Sequence, residues 1–107
     1  MKFEELCDAR YSLRKFDSRP VEAEKLQKVL EAGRKAPTAH NLQPQRFFVM
    51  QSEEALAKAD ACTACHFHPP VVIVAAYDPE IAWKREEDGK NHGEIDVTLA
   101  VSQMMLQ

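Results

Sequence analysis

Between Val71 and Tyr77 the chain reads Val-Val-Ile-Val-Ala-Ala-Tyr, an unbroken apolar run of strand length. Its β-branched residues suit a pleated surface, and its lack of alternation predicts a central strand covered on both faces. One strand cannot satisfy its own backbone, so the other segments must supply a partner strand and covering helices. The run is also far shorter than the roughly 18 residues of a membrane span.

A second strand is Phe47–Met50, short, aromatic and β-branched, set between a polar loop and Ser52, and two strands alone cannot form a self-sufficient sheet. Four segments carry helical spacing. Phe3, Leu6 and Cys7 place one buried face on residues 2–9. Leu26, Val29, Leu30 and Gly33 do the same for residues 22–35, with Pro37 as a stop and Gly33 permitting either close packing or an early left-handed cap. Ser52 caps a helix from Glu53 to about Cys65, closed by Pro69-Pro70. From Gly93 onward Ile95, Leu99, Ser102 and Leu106, joined by Val97, Ala100, Val101, Met104 and Met105, make a helix apolar enough to be largely buried. Asp96, near its start, suits an N-terminal capping role, four residues from His92. Asp78 to His92 reads as a long surface excursion around Trp83, an anchor or a cover for a ligand. The class is α+β, in one unit over residues 1–107. The last helix is still apolar at Gln107, and the expectation is a domain truncated after a long central helix or completed by another chain.

A hydrophobic fraction of 45% excludes a disordered chain, and 14 basic against 17 acidic residues, net −3, argue against general binding to nucleic acid or anionic membrane. Any anion site must therefore be local. The N-terminus has no apolar leader segment, so a cytoplasmic location is expected, with the three cysteines as reduced thiols.

Arg10, Ser12 and Arg14 are such a local site. Spaced two apart in an extended segment, they project to one side, where two planar guanidiniums and a hydroxyl match phosphate oxygens. The plain alternative is a pair of solvated arginines. A second candidate is the stiff loop Ala36-Pro37-Thr38-Ala39-His40-Asn41-Leu42-Gln43-Pro44, whose Asn and Gln amides can address the edge of a heteroaromatic ring. Its plain alternative is an ordinary helix-to-strand connection. A third is Cys62-Thr63-Ala64-Cys65-His66-Phe67-His68, in which Cys62, Cys65 and His66 or His68 suit zinc, a redox pair or simple core packing.

Arg10-Tyr11-Ser12-Leu13-Arg14-Lys15-Phe16, then a helix, then Ala36 to Phe47, followed by Pro70–Val74 and the helix Asp96–Leu106, resembles the flavin-dependent nitroreductase family over essentially the whole chain. Gln45 stands where many members have Trp. The resemblance implies an α+β fold with a mixed sheet flanked by helices, an intertwined homodimer and FMN at the subunit interface. Arg10, Ser12 and Arg14 would then hold the FMN phosphate and ribityl chain, Tyr11 acting mostly through its backbone. Pro37, Thr38, Ala39 and Asn41, with Gln43 beside them, would reach the flavin bound mainly by the other subunit. It further implies that NAD(P)H reduces the flavin, which then reduces a nitroaromatic, quinone or related acceptor at the same face, the two substrates alternating in a ping-pong manner. The flavin carries the chemistry, and no acid–base dyad or nucleophile is required. Two alternatives stand beside it: a non-catalytic zinc or redox-sensing module at Cys62, Cys65 and His66, and a flavin-binding fragment without turnover.

Overall fold

The computed structural model describes residues 1–107. Four helices, α1 (Phe3–Ala9), α2 (Ala23–Arg34), α3 (Glu53–Ala61) and α4 (Gly93–Leu106), accompany two strands, β1 (Gln45–Met50) and β2 (Val72–Tyr77). The strands pair antiparallel, Gln45 opposite Tyr77 and Met50 opposite Val72. The class is α+β as expected, with β1 starting two residues before Phe47. The extra rungs form because Asp78 N–H donates to the Pro44 carbonyl at 2.9 Å and the buried Gln45 side chain donates to the Gly33 carbonyl at 3.3 Å.

Alternation along the register puts Phe47, Val49, Ile73 and Ala75 on one face of the sheet. Val29 of α2 and Val101, Met104 and Met105 of α4 share an apolar cleft with Ile73 and Ala75. A Cβ on Gly33 would lie 2.7 Å from Met104 Sδ and 2.8 Å from Phe47 Cζ, so the glycine serves close packing. It makes no left-handed cap: α2 ends at Lys35 with φ −82°. Gln103 Nε2 then donates to the Ala32 carbonyl at 2.9 Å, fastening α4 to the end of α2.

Three burial expectations are corrected. β2 is not covered on both faces, and Val74 stays 41% exposed beside a single short helix, α3. α4 is not largely buried: only Gly93, Asp96 and Ala100 are, while Ile95, Leu99 and Met105 are open. A helix apolar all round needs neighbours all round, and α2 and the sheet cover one side of it. The face of α1 is also open, with Phe3 69% exposed. In all, eight of 107 residues are buried. The radius of gyration of 15.6 Å exceeds the roughly 13 Å of a compact chain of this length. No helix is long and apolar enough to cross a membrane.

α3 stops at Ala61, four residues before Cys65. The Thr63 hydroxyl accepts the Cys65 N–H at 3.0 Å, offering the backbone a local turn in place of a further helical turn. At the other end the Ser52 hydroxyl accepts the Ala55 N–H at 3.1 Å, as expected of a cap. Ser52→Ala should therefore lower stability by about 1 kcal/mol in a denaturant titration, with an unchanged slope.

Candidate functional site

The segment linking α1 to α2 has neither helix nor strand, and every residue from Arg10 to Val21 is exposed. Its backbone leaves α1 extended, with Arg10 at φ −66° and ψ 130°. The chain has six arginines, and four of them are engaged. Arg19 grips Asp17, Arg34 grips Glu31 and Arg85 grips Asp88, and each guanidinium holds its carboxyl below the ordinary carboxylate range. Arg46 donates to the carbonyls of Gln43 and Gln45. Arg10 and Arg14 alone have no carboxylate or carbonyl partner, and the Ser12 hydroxyl between them is unengaged. The two cations singled out by spacing are thus the two free to take an external anion.

The second candidate is a shaped loop. Ala39–Asn41 forms a short 3-10 turn entered from an extended Thr38. His40, Asn41 and Gln43 stand at φ 55°, 53° and 52°, in the left-handed region that residues other than glycine, asparagine and aspartate seldom occupy. Several bonds hold this conformation. Asn41 N–H donates to the Thr38 carbonyl at 3.0 Å, Gln43 N–H to the Thr38 hydroxyl at 3.0 Å, and Gln43 Nε2 to Asn41 Oδ1 at 2.9 Å. Pro44, fully buried, anchors the exit. Asn41 retains its amide donors and Gln43 its amide oxygen for a ligand. Pro37 lies exposed at the loop entrance. No hydrogen bond or ion pair joins this loop to Arg10, Tyr11, Ser12 or Arg14.

Two contacts to the loop were absent from the sequence reading. Asp96 caps no N-terminal N–H of α4; its Oδ1 accepts the Ala39 N–H at 2.9 Å, 57 residues away in sequence. Trp83 stands between two imidazoles, its ring 4.7 Å from that of His40 and 4.7 Å from that of His92. It is a partly buried prop for the loop rather than a loose surface anchor. The excursion carrying it is bonded to itself: Lys84 bridges Asn91, His92 N–H donates to the Trp83 carbonyl at 2.9 Å, and Asn91 Nδ2 donates to the Pro79 carbonyl. The His92–Asp96 spacing was the one visible signal here, and it pointed along the helix instead of across to Ala39.

The zinc arrangement is not assembled. Cys62 and Cys65 are exposed free thiols, and no three His, Cys, Asp or Glu side chains converge as ligands. His66 Nδ1 turns instead to Asp60 Oδ2 at 2.9 Å, with His68 3.9 Å from the same carboxylate. Core packing is corrected as well, since both thiols face solvent.

The chain is a paired-strand α+β unit that carries a double-arginine arm free of internal partners and an amide-bearing loop held by its own hydrogen bonds. Residues 8–67 match the model of the nitroreductase family. A nitroreductase family protein of Clostridium difficile 630 has 42% identity and a TM-score of 0.93, covering 99% of this chain and 61% of its own. A Desulfovibrio desulfuricans protein, provisionally termed a nitroreductase and solved in complex with FMN, has 26% identity and a TM-score of 0.78, with 96% and 59% covered. A Streptococcus pyogenes serotype M6 protein, provisionally named an NAD(P)H nitroreductase, is 42% identical over 59 residues, 54% of this chain and 30% of the relative. The chain belongs to the nitroreductase family, with that family's fold, and spans about three-fifths of the solved relatives' length.

Proposed function

We propose that these residues are the FMN-binding portion of an NAD(P)H-using oxidoreductase that reduces nitroaromatic, quinone or related small acceptors. The observation that carries this reading is the coincidence of Arg10 and Arg14, the only two unpaired guanidiniums, with the arm the family motif singles out. The donor set fits the cofactor. Two guanidiniums and the Ser12 hydroxyl offer charge-assisted hydrogen bonds to a phosphate dianion. Thr38, Asn41 and Gln43 offer a hydroxyl and amides suited to the polar edge of a flavin ring, with Pro37 and Ala39 shaping the loop around them. When bound, FMN supplies the hydride chemistry, accepting from NAD(P)H and giving to the acceptor. Arg10, Ser12 and Arg14 would hold the phosphate and Thr38, Asn41 and Gln43 would meet the ring, for two substrates taken in a ping-pong order.

A homodimer with FMN at the subunit interface accounts for the unlinked arm and loop, each serving the flavin from a different subunit. It also accounts for the apolar side chains left open on α4, Ile95, Leu99 and Met105. A cytoplasmic location goes with this reading.

The test is optical and kinetic. Purified protein incubated with FMN and freed of excess flavin should stay yellow with a perturbed flavin band, and should oxidise NAD(P)H in the presence of a quinone. A colourless protein would overturn the assignment. Colour without NAD(P)H oxidation would leave the flavin-binding reading and remove turnover.

A further inference from the structure

Asp96 is the one charged side chain that the chain buries, at 1% exposure. Burying a carboxylate is unfavourable unless hydrogen bonds compensate, and here a single bond does so, the Ala39 N–H on Oδ1, while Oδ2 has no partner. That bond reaches the loop one residue before His40, where the backbone enters the left-handed region. A loop with left-handed His40, Asn41 and Gln43 stores strain and keeps its shape only where its surroundings impose it. The neighbouring residue His40 packs its ring at a tilt against Trp83, which in turn packs at a tilt against His92 at the start of α4. The loop is therefore held to α4 by two routes, one through Asp96 and one through the indole.

We propose that Asp96 is a positioning residue for the flavin loop, a role that rests on the reading above: by fixing the Ala39 N–H it selects the loop shape in which Thr38, Asn41 and Gln43 meet the ring. Asp96 touches neither cofactor nor substrate in this account and acts through Ala39. The hydrogen bond, not the charge, does the selecting. Asn at this position keeps the accepting oxygen and puts an equally unpartnered group in place of Oδ2, whereas Ala leaves the Ala39 N–H without a partner.

The experiment compares Asp96→Ala and Asp96→Asn in the purified protein by FMN dissociation constant, Trp83 emission and hydrogen exchange at Ala39. Trp83 is the only tryptophan, so its fluorescence reports the His40–Trp83–His92 ring cluster without interference. Asp96→Ala should weaken FMN binding by up to about tenfold, the effect of one hydrogen bond, and should shift the emission. Asp96→Asn should hold FMN within about threefold of the parent, with the parental emission and a protected Ala39 amide. The proposal is overturned if Asp96→Ala keeps both FMN affinity and emission, or if Asp96→Asn is as damaging as Asp96→Ala. Should Asp96→Ala fail to fold, Asp96→Asn decides alone: parental affinity with a protected Ala39 amide supports the tether, and a freely exchanging amide refutes it. Arg10→Ala with Arg14→Ala, in the same assay, separates this proposal from the flavin reading. If the arginine variant loses FMN and Asp96→Ala does not, only the tether fails; if neither loses it, the flavin reading fails.

Discussion

Replacing Arg10 and Arg14 together by alanine is expected to weaken FMN binding by about a hundredfold while leaving the melting temperature of the flavin-free protein unchanged. Hydrogen bonds to an ionised group contribute about 1.5–3 kcal/mol each, and the exposure of this arm argues for the lower end, so two lost contacts sum to about 3 kcal/mol. Stability should not change because neither guanidinium has a partner in the chain, in contrast to Arg19, Arg34 and Arg85. Lysine at both positions should fall between, since it keeps the charge and loses the planar fork. The measurement is a flavin fluorescence titration at fixed ionic strength. An unaltered dissociation constant would remove the phosphate role of this arm.

The second large effect is on folding. Gly93 opens α4 directly against the ring of Tyr77, and a Cβ there would fall inside contact distance of the ring carbons. Helix propensity alone favours alanine over glycine by about 1 kcal/mol. Overpacking opposes it by about 1–3 kcal/mol, and Tyr77 cannot yield easily because its backbone is paired with Gln45 in the sheet. The depth of that overlap argues for the upper end, so Gly93→Ala should lower the melting temperature by about 10 °C, corresponding to a net loss of about 2 kcal/mol. Gly89→Ala is the contrast. Gly89 has φ +69° and open space around it, so only the left-handed backbone opposes the change, by about 1 kcal/mol. Thermal melts of both variants check the ranking, and equal losses would show that Tyr77 yields.

What the sequence made legible follows from the range of the interactions. Ser52, Leu26, Val29 and the run before Tyr77 declare local structure because spacing and capping act within a turn or a strand. Arg10, Ser12 and Arg14 were legible as a candidate because an extended segment presents alternate residues together. Burial was not legible in the same way: Ile95, Leu99 and Val74 carry the composition of a core, yet burial depends on which other surfaces arrive, and one side of α4 and of β2 has few in this chain. Asp96 was misread for the same reason. Its i,i+4 relation to His92 is local, while its bond to Ala39 spans 57 residues and leaves no trace in any short window. The early stop of α3 depended on Thr63 competing for one N–H, a choice that composition does not settle.

The span of that Asp96 bond also sets an order of events during synthesis. The rungs between β1 and β2 lie within Gln45–Tyr77, so both strands are made before α4. The loop at His40 emerges early, yet the carboxylate that holds it arrives only with the first turns of α4. Long closures of this kind come late, because their entropy is lost before the contact repays it. The loop therefore takes its held shape only once the first turns of α4 are made, so a ligand held by that loop meets a chain in which both strands and the start of α4 are already present.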